Sequence, residues 1–116
     1  MDVAGRLGRL RGTFDGGGVD ALIVTNLTNV RYLTGFTGSA GLVVVTRDAA
    51  VLVTDGRYGE QAPAQVAAAG APATVEVSGT EQDKIVASAL TGAGRVGLEA
   101  ESIVWSAQRR YADLLA

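Results

Sequence analysis

The sequence of 116 residues contains no histidine and no cysteine. Without histidine it lacks the usual general base at neutral pH and the commonest metal ligand. Without cysteine it can form no disulfide and offers no thiolate nucleophile or thiolate metal ligand. A serine–lysine pair would need the single lysine, Lys84, to reach a serine such as Ser39, and nothing in the sequence brings them together. These absences remove most ordinary catalytic and metal-binding chemistry from the chain.

Long apolar runs and a one-sided charge are also absent. No apolar run approaches the roughly 20 residues that span a bilayer, and the start, MDVAGRLGRLRG, lacks the apolar centre of a signal peptide. The net charge is −2 with both signs interspersed, which is no footprint for nucleic acid or an anionic membrane. We therefore expect a cytoplasmic protein that binds neither nucleic acid nor a membrane.

What is present is typical of one globular domain. The hydrophobic fraction is 47% and the charged fraction 19%, and a chain of this length is close to the commonest domain size. No repeat or linker interrupts the sequence, so we expect a single domain over residues 1–116.

Hydrophobic periodicity predicts the secondary structure. Val3, Leu7, Leu10 and Phe14 recur at helical steps, and glycines 16–18 end that helix. Further helices are predicted over residues 57–69, over about 80–90 with Thr80 as N-cap, and at the end of the chain, where Ala107, Tyr111, Leu114 and Leu115 face inward. Strands are predicted at 20–24, 41–46, 50–54, 74–77 and 95–98, the second and third forming a hairpin.

This order of elements predicts the fold class. A hairpin followed by alternating strands and helices favours an α/β, three-layer fold: a mixed sheet of five to six strands, antiparallel at its start and parallel at its end, with helices on both faces.

The connector at residues 26–41, NLTNVRYLTGFTGSAG, has a length typical of a segment that carries function or forms an ordered loop. Its glycines are followed by a strand rather than the helix of a dinucleotide site, so they serve backbone conformation. Arg31 and Tyr32 could line a pocket mouth. Alternatively, Tyr32, Leu33 and Phe36 fill the core while Arg31 pairs with an acid.

Other polar residues stand at the ends of strands. Asp55 is placed to cap the following helix and Arg57 to pair with a neighbouring acid, with a ligand or interface role as the alternative. A two-metal nuclease site of the ribonuclease H kind would need converging carboxylates. The middle of the first strand holds no acid, so capping and solvated roles are favoured for the carboxylates at strand ends, which are Asp20, Asp55, Glu99 and Glu101.

The motifs resemble a known family. Residues 21–41, ALIVTNLTNVRYLTGFTGSAG, resemble the N-terminal domain of Xaa-Pro aminopeptidases and prolidases, the creatinase/prolidase group of M24-type metallopeptidases. Residues 53–58, VTDGRY, are similar to the helix-entry motif of that domain, and residues 96–99, VGLE, resemble its end. The resemblance covers about the whole chain.

The resemblance implies a ribonuclease-H-like creatinase/prolidase N-terminal domain. In that family the catalytic centre lies in a C-terminal pita-bread domain, where two Asp, one His and two Glu hold two divalent metal ions, Mn, Co or Zn. We expect that domain to be absent from this chain, which therefore has no catalytic or metal-binding residue and no cofactor of its own. The segment 37–40 lacks the arginine that creatinase relatives carry there, which favours the proline-peptidase branch.

The expected function is that of a non-catalytic accessory domain of a metal-dependent Xaa-Pro peptidase. It would shape substrate access and assist homodimerisation, while the parent hydrolyses bonds that precede proline in peptides. The alternatives are a free-standing protein-interaction module and a small-ligand or nuclease domain of ribonuclease-H-like shape. The candidates for substrate access or an interface are Arg31, Tyr32, Phe36, Thr37, Gly38, Ser39, Arg57 and Tyr58.

Overall fold

The structure, a computed structural model, describes residues 3–98. The predicted last helix and the acids Glu99 and Glu101 lie outside the described residues. The helices are a 3₁₀ turn Val3–Gly5, α1 Arg6–Arg11, α2 Phe14–Gly17, α3 Leu27–Thr34, a 3₁₀ turn Gly56–Tyr58, α4 Gln61–Ala69 and α5 Gln82–Ala89. The strands are β1 Ala21–Val24, β2 Leu42–Thr46, β3 Ala50–Thr54, β4 Thr74–Val77 and β5 Val96–Leu98.

These strands form one mixed sheet of order β4-β3-β2-β1-β5. The three central strands pair antiparallel, and β4 and β5 each add in parallel at an edge. The predicted mixed sheet is confirmed, with five strands among residues 3–98. Because β2 runs back along β1, with Val24 opposite Val43, the chain that enters β2 lies at the carboxyl end of β1.

Alternate strand residues point to opposite faces and separate two cores. Val43 and Leu52 belong to the core that α1–α4 cover, whose helical members include Leu7 and Phe14. The other face carries the core packed under α5, made of Ala21, Ile23, Leu42, Val44, Val53, Val86 and Leu90. The predicted three-layer arrangement with helices on both faces is therefore confirmed.

The sequence predicts one loop across the connector. In the structure, α3 occupies half of the connector. The Asn26 side chain caps this helix by accepting hydrogen bonds from the backbone N–H groups of Thr28 and Asn29, at 2.9 and 3.3 Å. Val30 and Leu33 bury its inner side. Gly35, at φ 83°, ends it in the left-handed conformation that glycine adopts without strain. The true loop is therefore residues 35–41, the α3–β2 loop.

Three other helix boundaries differ from those predicted. The first helix breaks into α1 and α2 at Gly12, although the glycines that follow do end it. The helix expected from residue 57 begins at Gln61, after a 3₁₀ turn. Thr80 is not the N-cap of α5, because that helix starts at Gln82 and the Ser78 hydroxyl instead accepts a bond from the Glu81 N–H, at 2.9 Å.

Candidate functional site

The α3–β2 loop passes close over α4. A Cβ atom placed on Gly35 would lie 2.7 Å from the Cβ of Ala69, closer than real Cβ contacts come. Only glycine therefore allows the end of α3 to approach α4 this closely with a positive φ. At the far end of the loop, the Thr54 hydroxyl donates to the carbonyl oxygen of Ala40 at 2.7 Å. Both ends of the loop are thus fixed to neighbouring elements.

Phe36 forms the floor of the loop. It is 1% exposed and meets Tyr58 edge-on, with ring centroids 5.2 Å apart. A Cβ on Gly38 would overlap the Phe36 ring, so the backbone at Gly38 rests directly on that ring. Phe36 is therefore a core residue that supports the loop from below.

Thr37 is exposed on top of the loop and bound to α4. Its backbone N–H donates to Oε1 of Gln65 at 3.0 Å, and its hydroxyl accepts from Nε2 of Gln65 at 2.8 Å. Gln61, one helical turn earlier, donates to the same hydroxyl at 3.3 Å. Neither glutamine was predicted from the sequence as a site residue. Their spacing of four on an otherwise alanine-rich helix was the available signal.

Ser39, also exposed, is bound to Tyr58. The Ser39 N–H donates to the phenol oxygen at 3.0 Å, and the two hydroxyl oxygens lie 2.6 Å apart. These hydrogen bonds lower the pKa of the Tyr58 phenol, the side-chain bond contributing most and the backbone bond next. Residues 37 and 39 are thus exposed yet held at defined positions.

Tyr58 is itself positioned by the 3₁₀ turn after β3. Asp55 caps that turn by accepting from the Arg57 N–H at 3.0 Å, and its carboxylate takes two guanidinium N–H groups of Arg57, at 3.0 and 2.8 Å. This pairing lowers the pKa of Asp55 and raises that of Arg57. The guanidinium carbon lies 5.2 Å from the Tyr58 ring centroid. The predicted ion pair is confirmed. Asp55 is a cap as predicted, but of the 3₁₀ turn and not of the longer helix, because α4 begins at Gln61 with Glu60 at its N-cap.

Arg31 and Tyr32 lie apart from this cluster. Tyr32 is 52% exposed. The alternative in which Tyr32 fills the core is therefore wrong. The Arg6 guanidinium stacks 3.9 Å above its ring and donates to its carbonyl oxygen at 2.7 Å. With Arg6 and Arg9, Tyr32 lines a cavity of about 490 Å³ over β1. Arg31 is exposed and pairs with no acid among residues 3–98.

The described carboxylates do not assemble a metal site. Asp20 accepts from the Arg95 N–H at 3.0 Å and from the Arg47 guanidinium at 3.2 Å, and these bonds lower its pKa. Lys84 pairs with Glu81 on α5. Residues 3–98 contain no group of three or more acidic, histidine or cysteine side chains placed to hold a metal ion. Over the same range, no helix has both the length and the apolar character needed to cross a membrane.

Known proteins share the fold described above. The chain is 54% identical over 61 residues to the uncharacterized peptidase YqhT of Bacillus subtilis, covering 53% of this chain and 17% of YqhT. It superposes on an Xaa-Pro dipeptidase from Bacillus anthracis with a TM-score of 0.86 at 28% identity, covering 97% of this chain and 31% of that one. The chain therefore spans less than a third of either relative.

A second solved structure is itself an isolated domain. The N-terminal domain of the cytoplasmic peptidase PepQ from Mycobacterium tuberculosis matches with a TM-score of 0.83 at 32% identity, over 97% of this chain and 85% of that one. The sequence profile described as the Creatinase/Prolidase N-terminal domain matches residues 6–116. The chain belongs to the creatinase/prolidase N-terminal domain family.

Proposed function

We propose that this chain is the non-catalytic N-terminal domain of a cytoplasmic Xaa-Pro peptidase, and that it shapes substrate access and assists dimerisation. The parent would hydrolyse peptide bonds that precede proline. The family membership and the Xaa-Pro dipeptidase among the structural relatives support this proposal. They do so for a chain that spans a minor part of such enzymes.

The chemical step would belong to residues outside this chain. Two divalent metal ions in a catalytic domain would polarise the scissile carbonyl and activate the attacking water. Residues 3–98 do not offer the ligands for such ions. This domain would therefore act through surfaces that contact the peptide and other parts of the enzyme.

The observation that carries the proposal is the exposed but fixed surface of residues 37–39, which we call the rim. Binding residues commonly sit on loops that a rigid scaffold positions. Thr37 and Ser39 expose polar groups while four side chains from other elements hold the loop, namely Thr54, Tyr58, Gln61 and Gln65. A rim of this kind can limit how far a peptide extends beyond the scissile bond. Arg57, next to Tyr58, is paired with Asp55 and helps to hold the turn that carries Tyr58.

We assign the proposed dimer contact to the outer side of α3. Arg31 and Tyr32 are exposed there, and Leu27, one turn before Arg31, exposes 41% of its surface. Arginine and tyrosine are enriched in protein interfaces, where each combines an apolar body with a polar end. The proposed dimer contact uses this side of the helix.

The test replaces the rim in the full-length parent. In Thr37→Ala/Ser39→Ala we expect kcat/KM to change several-fold for peptides of four or more residues and little for an Xaa-Pro dipeptide. Thr80→Ala, which alters an exposed threonine just before α5, is the matched control. Equal effects on short and long peptides would contradict a role of the rim in access.

The interface assignment has a separate test. Arg31→Ala/Tyr32→Ala should lower the dimer fraction of the parent in sedimentation velocity at low micromolar concentration, whereas the rim variant should not. A dimer fraction that is the same in all three proteins would refute the assignment to α3.

A further inference from the structure

The rim is anchored at each of its polar positions, although it is exposed. Thr37 is held by two glutamines of α4, and Ser39 is held by Tyr58. Between them, the backbone at Gly38 rests on the Phe36 ring. Mobile loops have few buried contacts and solvent-exposed backbone hydrogen bonds. The hydrogen bonds of this loop are exposed, but they join it to two other elements, and the buried Phe36 ring lies beneath it. The domain itself therefore sets the shape of the loop.

Gln65 contributes more of these contacts than any other α4 side chain among the described residues. Its amide oxygen accepts from the Thr37 N–H, and its amide nitrogen donates to the Thr37 hydroxyl. The same oxygen also accepts from Gln61 at 3.3 Å, which orients the second glutamine toward Thr37. One primary amide therefore satisfies both a backbone and a side-chain group of the rim, and it does so across 28 positions of sequence.

We propose that Gln65 is a positioning residue, which fixes the rim in one conformation before any peptide arrives and thereby sets the peptide length that the enzyme accepts. We call the two hydrogen bonds between Gln65 and Thr37 the latch. The inference rests on the proposed function for its consequence, the length limit, but not for the latch itself. A preformed rim loses no conformational entropy when substrate binds, whereas a loop that orders on binding must lose it at that moment. A fixed rim also cannot move away to admit a longer chain.

The latch can be tested in this chain alone by amide hydrogen exchange followed by NMR. In the unaltered protein, the Thr37 and Ser39 amides should exchange slowly for exposed loop residues. In Gln65→Ala, the Thr37 amide should exchange about five- to tenfold faster, since one net hydrogen bond is lost. Ser39 should follow in the same direction because the rim moves as a unit.

Two variants separate the latch from general destabilisation. Gln65→Glu keeps the acceptor for the Thr37 N–H, so it should preserve most of that amide's protection. Gln82→Ala removes a glutamine that bonds to Ser78 on the other side of the sheet, and it should leave the rim unchanged. Alanine is a better helix former than glutamine, so neither substitution to alanine weakens its helix by propensity.

The outcomes are decisive either way. Thr37 exchange that is equally fast with and without Gln65, or equally slow, would overturn the latch. If amides of the central strands also lose protection in Gln65→Ala, the comparison passes to Gln65→Glu, in which selective protection of Thr37 is still required.

The consequence is measured in the full-length parent. Gln65→Ala should lower KM several-fold for peptides of four or more residues with kcat unchanged, and should leave KM for an Xaa-Pro dipeptide nearly unchanged. The difference in kcat/KM between short and long peptides should therefore narrow. Gln65→Glu should restore part of that difference. If exchange shows the latch while peptide discrimination is unchanged, the positioning role of Gln65 stands and the proposed function of the rim fails. If exchange shows no latch, the positioning role fails whatever the kinetics.

Discussion

At the amino end of β1, Arg47 bridges Asp15 and Asp20 at 2.8 and 3.2 Å, and Asp20 also accepts from the Arg95 backbone. At the carboxyl end, the contacts that tie the α3–β2 loop to its neighbours are neutral: amide, hydroxyl and phenol hydrogen bonds above a buried aromatic ring. The turn after β3, which carries Tyr58, adds one local ion pair between Asp55 and Arg57.

The two ends of the sheet therefore respond differently to solution conditions. Exposed ion pairs are weakened by salt and contribute little individually, and they disappear when the carboxylate is protonated. Neutral hydrogen bonds over a packed ring keep their geometry across a wide range of pH and salt. The end that needs a defined shape for the proposed function is the end whose shape depends least on charge.

The largest expected effect on stability comes from the two phenylalanines of the core that α1–α4 cover. Phe14 and Phe36 are each 1% exposed, and replacement of either by alanine should lower the free energy of unfolding by about 3–5 kcal/mol in urea denaturation. Only Phe36→Ala should also speed amide exchange at Ser39, because Gly38 and Tyr58 rest on that ring. An equal loss of Ser39 protection in Phe14→Ala would mean that the loop depends on overall stability and not on its own floor. Leucine variants replace the alanine ones if these unfold.

The next largest effect on stability is expected at Gly38 of the α3–β2 loop. In Gly38→Ala, the added methyl would overlap the Phe36 ring, so overpacking should cost about 1–3 kcal/mol. Gly56→Ala is the matched control, because a Cβ there has no atom within 4 Å and its backbone needs no positive φ. Urea denaturation of both variants measures the difference. Equal stabilities would show that the loop tolerates movement at Gly38.

Sequence patterns sufficed for the sheet because its strands are runs of apolar, mostly β-branched residues such as LVVV at residues 42–45, separated by turn residues. The short helix α3 was missed, although Asn26 and Gly35 are its cap and stop signals. Once it is a helix, Tyr32 lies on a different side from Val30 and Leu33 and is exposed. The misplacement of Tyr32 therefore follows from the missed helix.

The latch of the rim could not be predicted in the same way. Local patterns report on residues a few positions apart, whereas Thr37 meets Gln65 across 28 positions and Ser39 meets Tyr58 across 19. The aspartate cap at Asp55 was predictable because its partner is two residues away. Loop contacts of this kind depend on how α4 is placed against the sheet, which tertiary packing decides.

A smaller effect sharpens the contrast at the ionic end. Because Asp20 has a lowered pKa in the folded protein, its contribution to stability is present above the unfolded pKa of about 3.9 and is lost as the pH falls through the folded value. Asp20→Asn removes that contribution, so its unfolding free energy should fall less steeply than that of the unaltered protein below about pH 5. Urea titrations at neutral and acid pH test this. Asp48→Asn, which removes a charge from the neighbouring exposed turn, should retain the steeper dependence.

The smallest effect reads the neutral end directly. The hydrogen bonds from Ser39 favour the Tyr58 phenolate and so lower the phenol pKa, which means that the contribution of this group to stability grows as the pH rises through the folded value. Ser39→Ala removes the larger cause but keeps the backbone N–H, so the pKa should rise only part of the way toward that of an ordinary tyrosine. Ultraviolet titration of the ionised phenol measures the change, with Tyr58→Phe to assign the signal. A pKa unchanged in Ser39→Ala would show that the hydroxyl pair is not formed in solution, and Ser39 would then be held to Tyr58 by its backbone N–H alone.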